Sequence, residues 1–269
     1  MKDKVTFKDY LGTKDLYVKM ARIAIPISCQ SLITVAINLI DTIMLSSMGD
    51  AQLSASSLAG QFINIFMICC FGIGQGATVL TSRFWGMKDI GSLKKAVTIM
   101  LRFCMAFTLI FTVAVAVAPE WIMRIYTPDK ELIHYGTIYL KWLIPTYFLM
   151  SLSLTLTFIL RSVGQMKIPL CSSIGAFFVN VFCNWVFIFG NLGAPRMEIA
   201  GAALGTLISR TFEVIVICGY FFFVDQKIGY RFRDLTMKCK SLLHEYITIS
   251  IPVLISDMLL ALGNNAVSM

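Results

Sequence analysis

A single carboxylate, Asp41, stands in an almost wholly apolar stretch, residues 35–45, VAINLIDTIML. A charged side chain at the midplane of a membrane costs about 2.5–3.5 kcal/mol, so it needs a partner or a function. Asp41 also lies near the C-terminal end of its helix, where the helix dipole disfavours negative charge. We therefore expect it to hold a proton or attract a cation, which is the chemistry of ion-coupled transport. The residues leave open a second interpretation, in which Asp41 only joins two helices by a hydrogen bond.

Polar side chains precede Asp41 at helical spacing. Gln30, Thr34 and Asn38 recur at intervals of four, four and three residues up to Asp41, which places all of them on one narrow face of a helix. Such a face must turn towards other helices or a water-filled cavity rather than towards lipid. We interpret these three residues as a polar face that supports Asp41.

Two later apolar stretches repeat this pattern. One carries Ser173, Asn180 and Asn184, and the other carries Thr206, Arg210 and Glu213. Arg210 and Glu213 are three residues apart on one face and are predicted to form an ion pair.

Asp257 is another carboxylate in an apolar stretch, five residues after Pro252. It is a second candidate cation ligand.

The composition shows which elements must position these side chains. Hydrophobic residues make up 57% of the chain and charged residues 14%, whereas soluble domains hold about 25% charged residues. The chain is therefore a polytopic membrane protein. Long continuous apolar runs indicate helices rather than a β-barrel. The predicted fold class is all-α, with a seventh span that begins near residue 246 and six complete spans at 23–46, 53–82, 96–118, 132–160, 168–190 and 199–224.

The distribution of basic residues predicts the orientation. Seventeen Lys and Arg residues lie in the N-terminal segment and in the loops after spans two, four and six, and only Arg124, Lys130 and Arg196 lie in the other loops. The positive-inside rule places the N-terminus in the cytoplasm of a multi-pass protein of the plasma membrane. The net charge of +8 therefore indicates topology, with membrane lipid as the surroundings, and predicts no nucleic-acid partner.

Residues 19–43 and 245–269 look like weak copies of one another, because Pro26 aligns with Pro252 and Asn38 with Asn264. An even number of spans separates them, as in parallel repeats of two six-helix halves. We expect the chain to be the N-terminal part of a longer protein. The predicted divisions are a cytoplasmic segment at 1–22, a six-helix lobe at 23–235, and a linker with the first helix of a truncated C-terminal lobe at 236–269.

Catalytic motifs are missing from the sequence. It contains no HExxH or GxSxG motif and no catalytic constellation of His and carboxylate residues, so we expect neither an enzyme nor a cofactor. Gly72, Gly74 and Gly76 lie in FGIGQGATVL without the Lys-Ser/Thr of a phosphate loop, and they predict close helix packing. Pro26 interrupts span one and is a candidate hinge.

Several segments of the chain resemble the multidrug and toxic compound extrusion (MATE) transporters. The likeness covers nearly the whole chain, and the last segment is most similar to bacterial members of the kind found in Firmicutes. The matching segments are IPIS followed by NLIDTIMLSSMGDAQLSASS, then GIGQGATVLTSRFWGMKD, LRSVGQMKIP and NWVFIFGNLGAPRMEIAGAALGTLISRTFE.

The resemblance implies a twelve-helix, V-shaped antiporter of the bacterial inner membrane, made of two six-helix lobes. It implies export of cationic or amphipathic drugs in exchange for Na⁺ or H⁺. The cation-coupling residues would be Asp41, Asn180, Asn184 and Asp257. Some H⁺-coupled relatives carry aspartate where this chain has Asn184. This difference favours Na⁺ as the coupling ion, or a coupling site in the missing C-terminal lobe.

Three further expectations concern substrate and activity. Gln61 and Asn64, with neighbouring Met and Phe side chains, are candidates to line the substrate cavity. One alternative function is a lipid-linked oligosaccharide flippase of the same superfamily, for which Arg102 and Arg210 supply little positive charge. The other is a non-transporting truncated remnant. A lone lobe is expected to be inactive, because two lobes are needed to close a transport cavity.

Overall fold

The computed structural model describes residues 14–237 and 239–268. It does not describe the side chains of Leu16, Lys19, Lys240 and 260–268. Within these ranges the chain is helical and contains no strand. The helices are α1 (Lys14–Ser46), α2 (Asp50–Gly86), α3 (Ile90–Val117), α4 (Pro119–Tyr126), α5 (Lys130–Trp142), α6 (Ile144–Ser162), α7 (Lys167–Phe189), α8 (Ile199–Gly219) and α9 (Lys240–Ser268). The all-α prediction is confirmed.

Seven helical stretches of the described residues are long and apolar enough to cross a membrane, and they correspond to the seven predicted spans. The fourth differs in form, because 132–160 is divided between α5 and α6, which meet at Leu143. Pro145 has no N–H to donate to the carbonyl of Lys141, so one continuous helix would lose a hydrogen bond there. Among the described residues, helix α1 already includes Lys14, so residues 14–22 of the predicted 1–22 segment are part of the helix of span one.

The first six spans pack as one bundle. Helix α7 packs along both α1 and α8, while α2 packs against α3, α5 and α6. The larger buried core joins α2, α3, α6 and the end of α8 around Leu80, Met100 and Leu156. A second core lies towards the opposite membrane face, around Phe66, Met123 and Tyr147. These cores fix the positions of the helices that carry the polar faces.

The segment between α8 and α9 is held against α3. Lys94 Nζ lies 2.8 Å from Asp234 Oδ2, and Tyr230 shares a 2.8 Å hydrogen bond with Thr98. Partial burial opposes ionisation of Asp234, but the hydrogen bonds from Lys94 and from the Arg231 backbone N–H, with the charges of both residues, together hold the pKa of this carboxyl below its ordinary value. Arg102 donates to the carbonyls of Leu235 and Met237. The segment is therefore a fixed strap across α3.

Helix α9 approaches α2 closely at two glycines. A Cβ atom at Gly76 would lie 2.6 Å from the Cα of Ser250, and one at Gly72 would lie 2.8 Å from the Cα of Leu254. Backbone atoms cannot step aside as a flexible side chain can, so these positions require glycine for the observed contact. The close packing predicted for this glycine run is confirmed.

We expect Gly76→Ala to destabilise the protein by about 1–3 kcal/mol, because the added methyl group overpacks the α2–α9 contact. Gly60→Ala, in the same helix, is the matched control, since a Cβ there meets nothing within 4 Å. Alanine favours a helix by about 1 kcal/mol over glycine, so the control should be as stable as the wild type or more so. Thermal unfolding of the detergent-purified variants measures both, and equal melting temperatures for the two would contradict the packing argument.

Candidate cation site and adjoining cavity

Asp41 is held by the amide of Asn184 across the contact between α1 and α7. Asn184 Nδ2 donates to Asp41 Oδ1 and also lies 3.3 Å from Asn180 Oδ1. Both asparagines are fully buried. The structure therefore brings together three of the four residues that the resemblance implied for cation coupling.

Gly205 on α8 makes room for Asn184. A Cβ atom at Gly205 would collide with Asn184 Oδ1, so a glycine is needed where α8 crosses α7 at this level. The sequence analysis did not single out Gly205. The role of Gly205 depends on Asn184 of the facing helix, so no pattern in the sequence around Gly205 predicts it.

Two buried polar atoms of this group have no hydrogen-bond partner among the described residues. They are Asn184 Oδ1 and Asn180 Nδ2. Buried polar atoms in proteins are nearly always bonded, so an unpartnered amide oxygen beside a carboxylate requires an explanation. The Asp41 carboxylate and the oxygens of Asn180 and Asn184 are hard oxygen ligands of the kind that bind alkali and alkaline-earth cations. The group is a candidate cation site.

Apolar side chains close one side of the Asp41 group. Leu45 follows Asp41 by one turn of α1, and Ile188 follows Asn184 by one turn of α7. These two side chains are buried together with Ala202 of α8. The carboxylate is therefore covered by hydrocarbon towards the α1 C-terminal side of the bundle.

A cavity of about 150 Å³ lies on the opposite side of the group, between α1, α2, α6, α7 and α8. Ile37, one turn before Asp41, is part of its wall. The predicted polar-face residues Gln30 and Thr34 also line it, together with Ser31, Met67, Phe71, Met150, Ser153, Leu154, Thr157, Arg161, Ser173, Ala176, Arg210 and Glu213. Polar and apolar side chains thus line one partly open cavity.

A chain of hydrogen bonds crosses the polar wall of this cavity. Arg161 Nη2 donates to Gln30 Oε1, and Gln30 Nε2 donates to Ser173 Oγ at 2.9 Å. Ser173 Oγ donates to Glu213 Oε1 at 3.3 Å, and Arg210 Nη1 lies 2.7 Å from Glu213 Oε2. The predicted Arg210–Glu213 ion pair is confirmed. Four helices are joined in this way.

Helices α1 and α7 pair in constant register. The Gln30–Ser173 and Asp41–Asn184 bonds both join residues 143 positions apart. Each helix therefore advances by the same number of residues between the two bonds, about three turns, so the helices run parallel with one face of each towards the other. The cavity wall and the Asp41 group are two levels of a single helix pair.

Other residues singled out in the sequence lie elsewhere. Asn38 is exposed, and so are Gln61 and Asn64, which do not line the cavity. Asp257 lies on α9, which packs on α2 and α3, and its Oδ2 is buried without a hydrogen-bond partner among the described residues. Pro26 lies inside α1, one turn before Gln30. The side chain of Asn264 falls outside the described part.

A bundle of membrane-spanning helices with a half-buried carboxylate beside a partly open cavity is the architecture of a membrane transporter. The MatE family model matches residues 26–186, which is more than half of the chain. The chain therefore belongs to the MatE family, and the resemblance to MATE transporters is confirmed.

Individual relatives agree with this assignment. The chain is 26% identical to the uncharacterized transporter YisQ of Bacillus subtilis, over 66% of this chain and 39% of that protein. It is 23% identical to the multidrug export protein MepA of Staphylococcus haemolyticus, over 100% of this chain and 58% of that protein. The fold is similar to that of a multidrug resistance MATE family transporter in an outward-facing conformation, with a TM-score of 0.79 and 20% identity, over 88% of this chain and 52% of that one. The chain thus spans about half the length of the curated relatives it matches.

We expect Gly205→Ala to destabilise the protein by about 1–3 kcal/mol, because its methyl group forces Asn184 out of place. Gly219→Ala, in the same helix, adds a Cβ that meets nothing within 4 Å and should cost much less. Thermal unfolding of the purified variants gives the two values.

In an Asn184→Ala background, Gly205→Ala should cost little further stability, because the amide that collides with the added methyl group is gone. A double-mutant cycle measures this coupling. Additive effects of Gly205→Ala and Asn184→Ala would show that the two residues do not touch.

Proposed function

We propose that this chain supplies the N-terminal lobe of a cation-coupled antiporter that exports drugs and other toxic organic compounds across the bacterial inner membrane. The observation that carries the proposal is the Asp41–Asn184–Asn180 group, which lies one helical turn from a partly open cavity and is covered by apolar residues on its other side. Relatives named as multidrug export proteins support the substrate class.

The coupling mechanism follows from the charge on Asp41. An unloaded carboxylate in apolar surroundings is costly, and a bound cation or proton removes that cost. A conformation that encloses the group is therefore favoured when the ion is bound, and one that hydrates it is favoured when the ion has left. Ion binding then shifts the equilibrium between two conformations of the transporter, as alternating access requires.

Na⁺ is the coupling ion that we propose. Asn180 and Asn184 supply amide oxygens, which coordinate a metal cation but do not titrate. No second carboxylate hydrogen-bonds or neighbours Asp41 in the described contacts of this group, so a proton shared between two carboxylates has no support here. The alternative is H⁺ coupling through Asp41 alone, and the experiment below distinguishes it from Na⁺ coupling.

The remaining half of the transporter would supply a C-terminal lobe and close the cavity. Helix α9 would be its first helix, and Asp257, whose Oδ2 is buried without a described partner, would be a second cation ligand. Pro26 would act as a hinge in α1. The excess of Lys and Arg on one side supports a cytoplasmic N-terminus. A lobe expressed alone should not transport.

The proposed substrates are small amphipathic compounds, cationic drugs among them. Met67, Met150 and Phe71 give the cavity an adaptable apolar wall, since thioether side chains fit differently shaped ligands. Gln61 and Asn64 are exposed on α2 and would face the cleft between the two lobes.

We expect Asp41→Asn to abolish sodium-driven export by the full transporter while leaving its membrane insertion intact. Asparagine matches the shape of aspartate but carries no charge that an ion could neutralise. Ethidium efflux from proteoliposomes, driven separately by a Na⁺ gradient and by a pH gradient, measures the loss and identifies the ion. Asp15→Asn, at the exposed start of α1, is the control and should export normally. Normal efflux by Asp41→Asn would reduce Asp41 to a structural role.

A further inference from the structure

Arg102 is a positive charge inside the apolar span of α3. It lies six residues after the start of the predicted span at 96–118, which is about 9 Å along the helix axis. Its side chain is exposed on the surface of the helical bundle, where membrane lipid would surround it. A guanidinium in such surroundings is costly unless it reaches the membrane surface or an anion.

The described contacts of Arg102 supply hydrogen-bond acceptors but no negative charge. Its Nη2 donates to two backbone carbonyls of the strap, at 2.6 and 3.1 Å, and its Nε and Nη1 have no acceptor among the described residues. The acidic side chains near this end of the bundle pair with other cations. Asp234 pairs with Lys94, and Glu245 in the second turn of α9 pairs with Arg83. In the described part of the chain, Arg102 therefore keeps an uncompensated charge and unused donors.

A groove of about 560 Å³ opens beside Arg102, between α3, the strap and the start of α9. This volume is in the range that holds a small organic molecule. Apart from Arg102 the lining is mainly apolar, with contributions from Ile99, Phe103, Met237, Cys239 and Leu243. The groove thus combines one cationic end with hydrocarbon walls.

An apolar stripe on α3 extends this groove towards the middle of the membrane. The stripe follows Arg102 at helical spacing on the same exposed side of the helix, and it consists of Leu109, Ile110, Val113 and Val117. A charged end with a long apolar continuation matches the shape of a phospholipid. A soluble anion would use the charged end alone.

The membrane face at which the groove lies favours an anionic headgroup. The strap joins spans six and seven, so it lies at the same face as the N-terminus, where Lys and Arg are in excess. Basic pockets between helices at this face bind anionic lipid headgroups. The ammonium group of a zwitterionic lipid would instead meet the positive charge of Arg102.

We propose that the groove between α3, the strap and α9 is a binding site for one anionic phospholipid. Its phosphate binds Arg102, and one acyl chain lies along Phe103, Leu243 and the apolar stripe of α3. The inference does not depend on drug export, because it concerns a resident lipid rather than a transported substrate. Since the lipid contacts all three elements, its binding stabilises the packing of α9 and the strap on the lobe.

The test is a lipid titration of the delipidated full transporter in detergent, with bound lipid counted by native mass spectrometry. Phosphatidylglycerol and phosphatidylethanolamine with identical acyl chains are the two probes. Phosphatidylglycerol should bind about 5-fold more tightly, which is the factor expected for one basic residue that faces an anionic lipid. Arg102→Gln should reduce phosphatidylglycerol binding to the level of phosphatidylethanolamine, and Arg102→Lys should keep part of the preference.

Two further variants separate this site from general attraction between the protein and anionic lipid. Arg233→Gln removes an exposed positive charge from the same strap at a position that does not line the groove, and it should leave phosphatidylglycerol binding unchanged. Leu243→Trp fills the groove with an indole ring and should weaken binding several-fold. It leaves the bonds from Arg102 to the strap in place, so it tests the site even where Arg102→Gln loosens the strap. Melting temperatures of the lipid-free variants verify that each is folded.

Glycerol phosphate carries the same phosphate without acyl chains and should not compete with phosphatidylglycerol at equal concentration. Competition at that concentration would indicate a site for soluble phosphates and overturn the proposal. Equal binding of the two lipids would also overturn it, as would undiminished phosphatidylglycerol binding by Arg102→Gln or by Leu243→Trp. An equal loss in Arg233→Gln and Arg102→Gln would show that the attraction is general and that the groove is not a lipid site.

Discussion

The structure depends on keeping one ionisable carboxylate inside a bundle of apolar helices with amides as its nearest polar partners. Asn184 donates to Asp41, and Gly205 gives Asn184 the space to do so. A full counter-charge beside Asp41, such as an arginine fork, would hold the carboxylate permanently ionised and leave nothing for a cation to neutralise. An amide satisfies one oxygen by a hydrogen bond and supplies no counter-charge of its own. The protein can therefore fold with this group in place, and the carboxylate can still bind an ion.

The parallel pairing of α1 and α7 connects this group with the cavity. The Asp41–Asn184 bond lies at one level of the pair and the Gln30–Ser173 bond about three turns away, in the same register. A displacement of α1 along or about its axis would change both levels together, since a helix transmits such a movement over several turns. Gln30 also bonds to Arg161, so occupation of the cavity and of the cation group would act on a single rigid element.

The glycine contact between α2 and α9 has a different physical basis. Gly72 and Gly76 let the two backbones meet without interposed side chains, which gives close van der Waals packing where apolar surface alone provides no driving force between helices in lipid. Phe103 and Tyr246 pack beside this contact with their rings tilted and their ring centroids 5.3 Å apart. Helix α9 is thereby joined to the six-helix lobe by close packing on α2, in addition to the strap that Lys94 and Arg102 hold on α3.

The sequence by itself determined the features that arise within one helix. Hydrophobic run length gave the seven spans, and helical spacing gave the Arg210–Glu213 pair and the polar faces of α1 and α7. The break at Leu143 also has a local cause, Pro145, but the continuous hydropathy of 132–160 led to a prediction of one unbroken span. Only the tertiary structure decided which faces meet. The Arg161–Gln30 bond joins residues 131 positions apart, and Gly205 matters only because Asn184 lies opposite it. Periodicity fixes the direction of a side chain around its own axis, whereas the register and rotation of one helix against another follow from the packing of the whole bundle.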